Sequence, residues 1–413
     1  MFLHKKHART TARQLKTAVK LCFDMVSADL RGSSNVQRCG NGLISRHLRK
    51  ELYLSGTPLQ IIACKDKTNY VLTDEGIFSE NNGLAGKLIE QTPSKVAACV
   101  YRGDVIVSAK EMGTYCLTKE QAHKVCEYGF SSMAVCADRI FGLYQNEVRY
   151  TAAGERDGWE KGEMITLPTP CNAIVAVDGK VYALGNTCYE ISPNAEDIEF
   201  KFGFFAHNVG IACTYSPVNY NGRVVFATTN GLYQLSSNKI SPIFSGLNEV
   251  VDLRNCAGTI YNGKYYLTCR SRSSTETDND VTLILDLDEE EIVGVLDGGY
   301  ESMCASDKLY VTRGGHLYWF GDGVSNGRFV KTHVNFATDD KKFLDRLTVK
   351  TLNDLEVAIR SENETRLYKI QGKKTAQTIN LRDMGWDFSI ELSSNDGLCV
   401  ENLLLEAHIC AEV

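Results

Sequence analysis

A chain of 413 residues with 43% hydrophobic residues and only 7 Pro is too long for one small domain and too apolar to be a disordered polymer. No stretch approaches the roughly 20 consecutive apolar residues that cross a bilayer as a helix. The basic start MFLHKKHARTTARQLK is followed by no apolar run or small-residue cleavage site, so it does not read as a secretory signal, and a soluble protein made in the cytosol is expected. The net charge of −6 is unevenly placed: residues 1–50 hold 11 Lys and Arg against Asp24 and Asp29, a balance of +9, which leaves −15 for the remainder.

In chain order, residues 8–30 place Leu15, Val19, Phe23 and Val26 at helical spacing and predict a short amphipathic helix within a basic arm, residues 1–45. Lys5, Lys6, Arg9, Arg13, Lys16 and Lys20 of this arm are candidate docking residues for an acidic partner, either protein or nucleic acid. GSSN at 32–35 reads as a linker or turn.

From residue 66 to residue 322 one pattern recurs: a turn pair, an apolar run, a small polar turn, then a second run centred on an aromatic residue. The copies are GDVIVSAKEMGTYCL at 103–117, DRIFGLYQNEVRY at 138–150, DGKVYALGNTCYEI at 178–191, NGRVVFATTNGLYQL at 221–235, NGKYYLTCRSR at 262–272 and SDKLYVTRGGHLYWF at 306–320. A weaker copy, KTNYVLTDEGIF, lies at 67–78, and the anchoring turns recur every 34–45 residues. Period-2 alternation around two-residue turns such as Asn221-Gly222 and Asn262-Gly263 indicates antiparallel hairpins. Units of four short strands at this period are how a β-propeller appears in sequence. About seven blades are expected within residues 46–323. Tyr115, Tyr150, Tyr189, Tyr233 and Tyr318 are read as core between neighbouring blades. Whether residues 44–54 or the C-terminal domain supplies a closing strand stays open at this point.

After Gly321-Asp322-Gly323 the texture changes. RFVKTHVNFA, KKFLDRLTVKTL, DLEVAIRSE, TRLYKIQGK, AQTINL, WDFSIELSS and VENLLLEAHI read as strands separated by polar turns, so residues 324–413 are expected to form an antiparallel sandwich. The predicted fold is therefore all-β: a propeller of about seven blades, then a C-terminal sandwich, preceded by a short helical arm.

The search for chemistry finds no G-x-S-x-G elbow, H-E-x-x-H pair, P-loop or EF-hand spacing. No catalytic, cofactor or metal residues are assigned. The 15 Cys are scattered singly with no C-x-x-C pair, which argues for reduced, buried, packing cysteines rather than zinc ligands or a secreted disulfide framework. An enzyme on a propeller would need clustered carboxylates or an Arg triad; Asp138, Asp178, Glu190 and Asp307 lie near turns, but nothing singles out a pair among them.

Three segments carry a resemblance. VRYTAAGERDGWEKGE at 148–163, SPVNYNGRVVFATTNGLYQL at 216–235, and the tail from KKFLDRLTVKT through GWDFSIELSSNDGLCVENLLLEAHI resemble the β-propeller structural proteins of tailed bacteriophages, the tail hubs, nozzles and head-completion or stabilisation factors. The resemblance implies a non-enzymatic virion subunit: one of several identical copies in a ring at the head-to-tail connector or tail through which DNA passes during ejection. It implies portal, adaptor or tail proteins as partners, no cofactor, no membrane insertion, non-specific proximity to DNA, and a virion location after synthesis in the host cytoplasm. The alternative is a cellular propeller scaffold that binds a protein or peptide, although the repeated Gly-Gly and Trp-Asp signatures of kelch and WD repeats are missing.

Overall fold

The computed structural model describes residues 15–20, 32–81, 84–159, 164–193, 200–236, 239–321, 323, 325–362 and 364–410. The chain divides into two compact units. The larger is Leu48–Ile292 with Leu296–Gly321, and the smaller is Met1–His47, Val293–Val295 and Asp322–Val413.

Tight turns set the architecture of the larger unit. Pairs of left-handed residues at Asp66-Lys67, Arg102-Gly103, Ala137-Asp138, Asp178-Gly179, Asn221-Gly222 and Asn262-Gly263 reverse the chain between successive strands. At Asn221 and Gly222 φ is 49° and 76°, and at Asn262 and Gly263 it is 49° and 70°. This is the primed-turn geometry whose twist matches an antiparallel hairpin. Each turn joins the first and second strands of a four-stranded antiparallel meander. Among the described residues, four-stranded sheets begin at Pro58–Lys65, Ala97–Tyr101, Ser132–Cys136, Ala173–Val177, Val218–Tyr220 and Ser302–Ala305, and a similar antiparallel run that begins at Val251–Tyr261, between the fifth and the last of these, is part of a larger sheet.

The first strands are the innermost, and each sheet packs against its two neighbours. Ser302–Ala305 of the last sheet lies against Pro58–Lys65 of the first, so the series closes on itself. Such closure defines a β-propeller and leaves the inner strands only short, protected edges toward the axis. The final sheet takes its fourth strand from the N-terminal side: Arg49–Leu52 pairs antiparallel with His316–Phe320, Leu52 opposite Leu317 and Arg49 opposite Phe320. Residues 49–52 thus answer the question of the closing strand.

Packing on both faces explains the burial of the second strands. In Lys180–Leu184, Val181 and Ala183 join the core shared with the third sheet, while Tyr182 and Leu184 join the core shared with the fifth. The period-2 alternation therefore separates two cores rather than core from solvent. Gly142 fits the same logic, because a Cβ there would run into the Phe130 ring on the adjacent connection.

The smaller unit contains two sheets. One is ordered Gly327–Lys331, Ser389–Ser394, Leu355–Arg360, Thr365–Ile370. The other contains Val36–Cys39, Gly42–Ile44, Cys399–Cys410, Lys341–Thr351 and Lys373–Gly385. Alternate residues are buried, Leu347 and Val349 in one sheet and Ile390 and Leu392 in the other, and a bulge between Leu344 and Arg346 keeps Leu344 buried as well. Tyr368 donates to Asp383 Oδ2 at 2.7 Å, tying the two sheets together.

The expected N-terminal helix is corrected here. Leu15–Lys20 is a strand, paired antiparallel with Cys399–Cys410 from Leu15 opposite Ile409 to Lys20 opposite Leu404. LKTAVK also carries a period-2 pattern, with Leu15, Thr17 and Val19 alternating against Lys16, Ala18 and Lys20. The unpaired edge of a 12-residue strand satisfies its backbone groups, so tertiary pairing overrides a short helical periodicity. The rest of the predicted helix lies outside the described residues.

Tyr189 is 4% exposed within the core of the third and fourth sheets. Tyr189→Ala should therefore lower unfolding free energy by about 3–5 kcal/mol, as large-to-small core changes do, whereas Tyr233→Ala, at a partly buried ring, should cost less. Urea titration with a fixed m-value tests the order of the two.

Candidate functional site

The larger unit encloses a central cavity of about 440 Å³. Ile62, Val100, Val135, Ala176, Asn219 and Ala257 are among the residues that line it, and none of the lining residues is charged. Small and β-branched residues recur because the inner strands converge there and leave no room for long side chains.

Hydrogen bonds hold these strands to one another across sheets. Gln60 spans the first and second sheets, its Nε2 donating to the Val96 carbonyl and its Oε1 accepting from the Val96 amide, both at 2.9 Å. The Ile174 amide donates to Ser132 Oγ at 3.0 Å, and the Ile61 amide donates to Ser302 Oγ at 2.8 Å across the closing seam. Further out, Tyr101 donates to the Asp138 carbonyl at 3.0 Å and Arg102 Nε to Asp138 Oδ1 at 2.9 Å, joining the turns of the second and third sheets. The Arg102 guanidinium holds the Asp138 carboxyl below its ordinary range.

A second set of clasps uses hydroxyls in the second strands. Ser108 Oγ accepts from the Phe130 amide at 2.7 Å, Thr268 Oγ1 accepts from the Tyr300 amide at 2.8 Å, and Thr228 donates to the Val209 carbonyl at 2.8 Å. Each satisfies a buried backbone group in a connection between sheets. Sequence reading missed these residues. Their signal is a Ser or Thr five or six residues after four of the six hairpin turns, at Thr73, Ser108, Thr228 and Thr268.

Two polar features stand out, one beside the central cavity and one at a separate cavity. Lys95 Nζ lies 5.0 Å from the centre of the Tyr215 ring, and Tyr215 lines both the central cavity and a neighbouring one of about 300 Å³. Burial pushes the Tyr215 phenol up to about 12, so it stays neutral and presents a hydrogen-bond donor. On Val251–Tyr261 the Asp252 carboxylate accepts from Arg254 Nε at 3.0 Å and also from Arg270, at a cavity of about 270 Å³ that Asn255, Thr277 and Asn279 share. The Arg254 guanidinium is the largest influence holding the Asp252 carboxyl far below the usual carboxylate range.

The predicted core tyrosines fall as follows. Tyr150 and Tyr189 are buried between the third and fourth sheets, and Tyr189 shares a 2.9 Å hydrogen bond with Thr169. Tyr115 packs on the core of the first and second sheets, and Tyr233 on that of the fourth and fifth. Tyr318 is half-buried, with the Arg49 guanidinium 4.6 Å from its ring centre. Lys5, Lys6, Arg9 and Arg13 lie outside the described residues, while Lys16 and Lys20 sit on the strand Leu15–Lys20 opposite His408 and Leu404.

Among the described residues no group of three or more His, Cys, Asp and Glu side chains converges as a metal centre. No described helix is long and apolar enough to cross a membrane. Burial pushes the thiols of Cys99 and Cys171 up to about 12, which keeps them protonated and poorly nucleophilic at neutral pH.

No protein-family model and no curated protein matches the chain. Among solved structures it is similar to an extracellular domain from B. thetaiotaomicron whose parent is described as a hybrid two component system, with TM-score 0.49 and 10% identity. That match covers 88% of this chain and 59% of the other, so the chain spans about three fifths of that domain's length. It is also similar to the WD40 repeats of RRP9, with TM-score 0.46, 9% identity and coverage of 67% of this chain and 99% of that one. A third similar structure is BBS1N, solved in complex with ARL6DN, with TM-score 0.48, 10% identity and coverage of 70% and 97%. The class is defined by the closed series of four-stranded sheets itself: an all-β protein built on a β-propeller.

Two predictions follow from the clasps. Ser302→Ala leaves the buried Ile61 amide without its partner and should cost about 1–3 kcal/mol of stability, measured by thermal or urea unfolding. For Asp252 the folded-state pKa lies below the unfolded value of about 3.9, so its stabilisation is complete above that value and fades as pH falls through and below it. Asp252→Asn should therefore lower Tm at pH 7, and its deficit against the wild type should shrink below about pH 4.

Proposed function

We propose that this protein is a non-enzymatic structural subunit of a tailed-phage virion. In this reading it is a seven-bladed propeller with an antiparallel β-sandwich, repeated in a ring around the DNA path at the head-to-tail connector or tail. The observation that carries the reading is the partition of charge between the units. The larger unit holds 24 Lys and Arg against 34 Asp and Glu, a balance of −10, and the smaller holds 21 against 17, a balance of +4. Each phosphate neutralised by Lys or Arg adds affinity for DNA. An acidic propeller beside a DNA path therefore lets the polymer slide past, while the basic N-terminal arm supplies the contact to an acidic portal or adaptor. The sequence resemblance to phage propeller proteins supports the same assignment.

A second reading, a propeller scaffold for a protein partner, is favoured by one feature. Phe202 and Phe204, 40% and 58% exposed, project from the outer strand Phe200–His207, and Met164, 53% exposed, lies on the adjoining outer strand Met164–Thr166. Exposed apolar clusters of this kind mark interaction surfaces.

Cryo-electron microscopy of particles containing the protein tests the first reading. A symmetric ring attached to a portal or tail is the expected result, and a monodisperse monomer with no particle association moves the assignment to the scaffold. Since Leu15–Lys20 is a structural strand, the arm is best tested by Lys5→Ser, Lys6→Ser, Arg9→Ser and Arg13→Ser together. That variant should keep the wild-type Tm and lose assembly onto the connector; normal assembly would sink the proposed role of the arm.

A further inference from the structure

We propose that Cys64 and Cys304 are a site of oxidative modification, forming a disulfide across the seam that closes the propeller. Cys64 lies on Pro58–Lys65 of the first sheet and Cys304 on Ser302–Ala305 of the last, two strands that pack directly on each other. Both thiols pack against the same small core of Ile61, Val71, Tyr310 and Leu317. The two thiols lie close enough across the seam to shift each other's acidity.

The backbone around the pair fixes this approach. Cys64 sits opposite Asn69 in its hairpin and Cys304 opposite Tyr310 in its own. On the same strands the Ile61 amide donates to Ser302 Oγ at 2.8 Å. The thiols are therefore held at a seam fixed by strand packing and by the Ile61–Ser302 bond, and are not brought together by a mobile loop.

Access and acidity distinguish this pair from the other cysteines. Cys64 and Cys304 are both partly exposed, whereas Cys213, whose thiol donates to the Cys256 carbonyl at 2.7 Å, and Cys256 are buried. Interaction with Cys64 lowers the Cys304 thiol below its ordinary pKa and raises its partner, and Cys304 is taken as the nucleophile.

With a peroxide as oxidant, the Cys304 thiolate attacks one oxygen of hydrogen peroxide, gives a sulfenic acid and releases hydroxide, which takes up the thiol proton as water. Cys64 sulfur then attacks the sulfenic sulfur, and its proton leaves with the sulfenic hydroxyl as a second water. Two thiols and one peroxide thus yield one disulfide and two waters. The bond would close a loop of 240 residues and staple the last sheet to the first.

The test treats the full chain with hydrogen peroxide, alkylates remaining thiols, digests without reductant and identifies cross-linked peptides by mass spectrometry. The expected result is a Cys64–Cys304 peptide as the dominant cross-link, cleaved by dithiothreitol, with an upward shift in the wild-type melting temperature that reductant reverses. In Cys64→Ser the cross-link should vanish and Cys304 should become trappable by dimedone as its sulfenic acid; this part needs only that the variant remain folded, and the wild-type measurement needs no variant. A cross-link confined to Cys213 and Cys256, or wild-type Cys304 that oxidises to dimedone-reactive sulfenic acid without pairing, overturns the proposal.

Discussion

The pairing of Arg49–Leu52 with His316–Phe320 is the constraint on which the larger unit depends. A four-stranded sheet has two apolar faces and two open edges, and alone it can satisfy neither in water. Stacking neighbours covers the faces, but a linear stack would still leave its first and last sheets half bare. Taking the outermost strand of the last sheet from residues before the first sheet joins the two ends of the series at one place. Closure then becomes a property of the covalent path, and every inner strand acquires two neighbours.

Closure also explains the distribution of polar groups. Inner strands packed around an axis have amides and carbonyls that face neither a ladder partner nor bulk water, and each unpaired group would be costly. The protein meets this need with short side chains: Ser132 and Ser302 reach one strand across, and Gln60 reaches with both ends of its amide. Charged groups remain farther out. Arg102 with Asp138, Lys264 with Asp286, and Arg254 and Arg270 with Asp252 connect turns and strands away from the axis. The cavity is left uncharged while the unit around it is strongly acidic, so its electrostatic character comes from its outer surface and not from its lining.

These features were unequally legible in the sequence. Two-residue turns are local, and a Gly after Asn or Asp reports a left-handed conformation directly, so the hairpins at 221–222 and 262–263 could be placed to the residue. Alternation within a strand was equally plain, yet it could not show that both faces of Lys180–Leu184 are buried, because that depends on two neighbouring sheets. Leu15–Lys20 failed for a related reason: its six residues fit either period, and the strand that decides the matter, Cys399–Cys410, lies almost 400 residues away. The hydroxyl clasps were visible as a recurring Ser or Thr, but their meaning required the connections they bind. The tyrosine repeat pointed to the right regions, while the small and β-branched residues on the inner strands, which form most of the cavity wall, carried no chemical motif.

The cysteines show how one residue type can be repeated for a common reason and differ in consequence. Cys64, Cys99, Cys136, Cys256 and Cys304 lie on innermost strands, and Cys171 and Cys213 lie just before two others, one thiol for every sheet. Where strands converge, a side chain must be small, tolerate burial and lack a strong unmet hydrogen-bonding demand, and cysteine meets all three conditions. Burial raises the thiol pKa at Cys99, Cys136 and Cys171, which leaves those three as inert packing groups. At Cys213–Cys256 and Cys64–Cys304 the positions along neighbouring strands coincide, and each thiol gains a second thiol as its partner. Of these two places, one lies within the continuous run of sheets and is sealed from solvent. The other lies at the join between the first and last sheets and is partly open. A packing rule applied once per sheet has thus set a chemically competent pair at the single seam where a covalent link changes what holds the propeller closed.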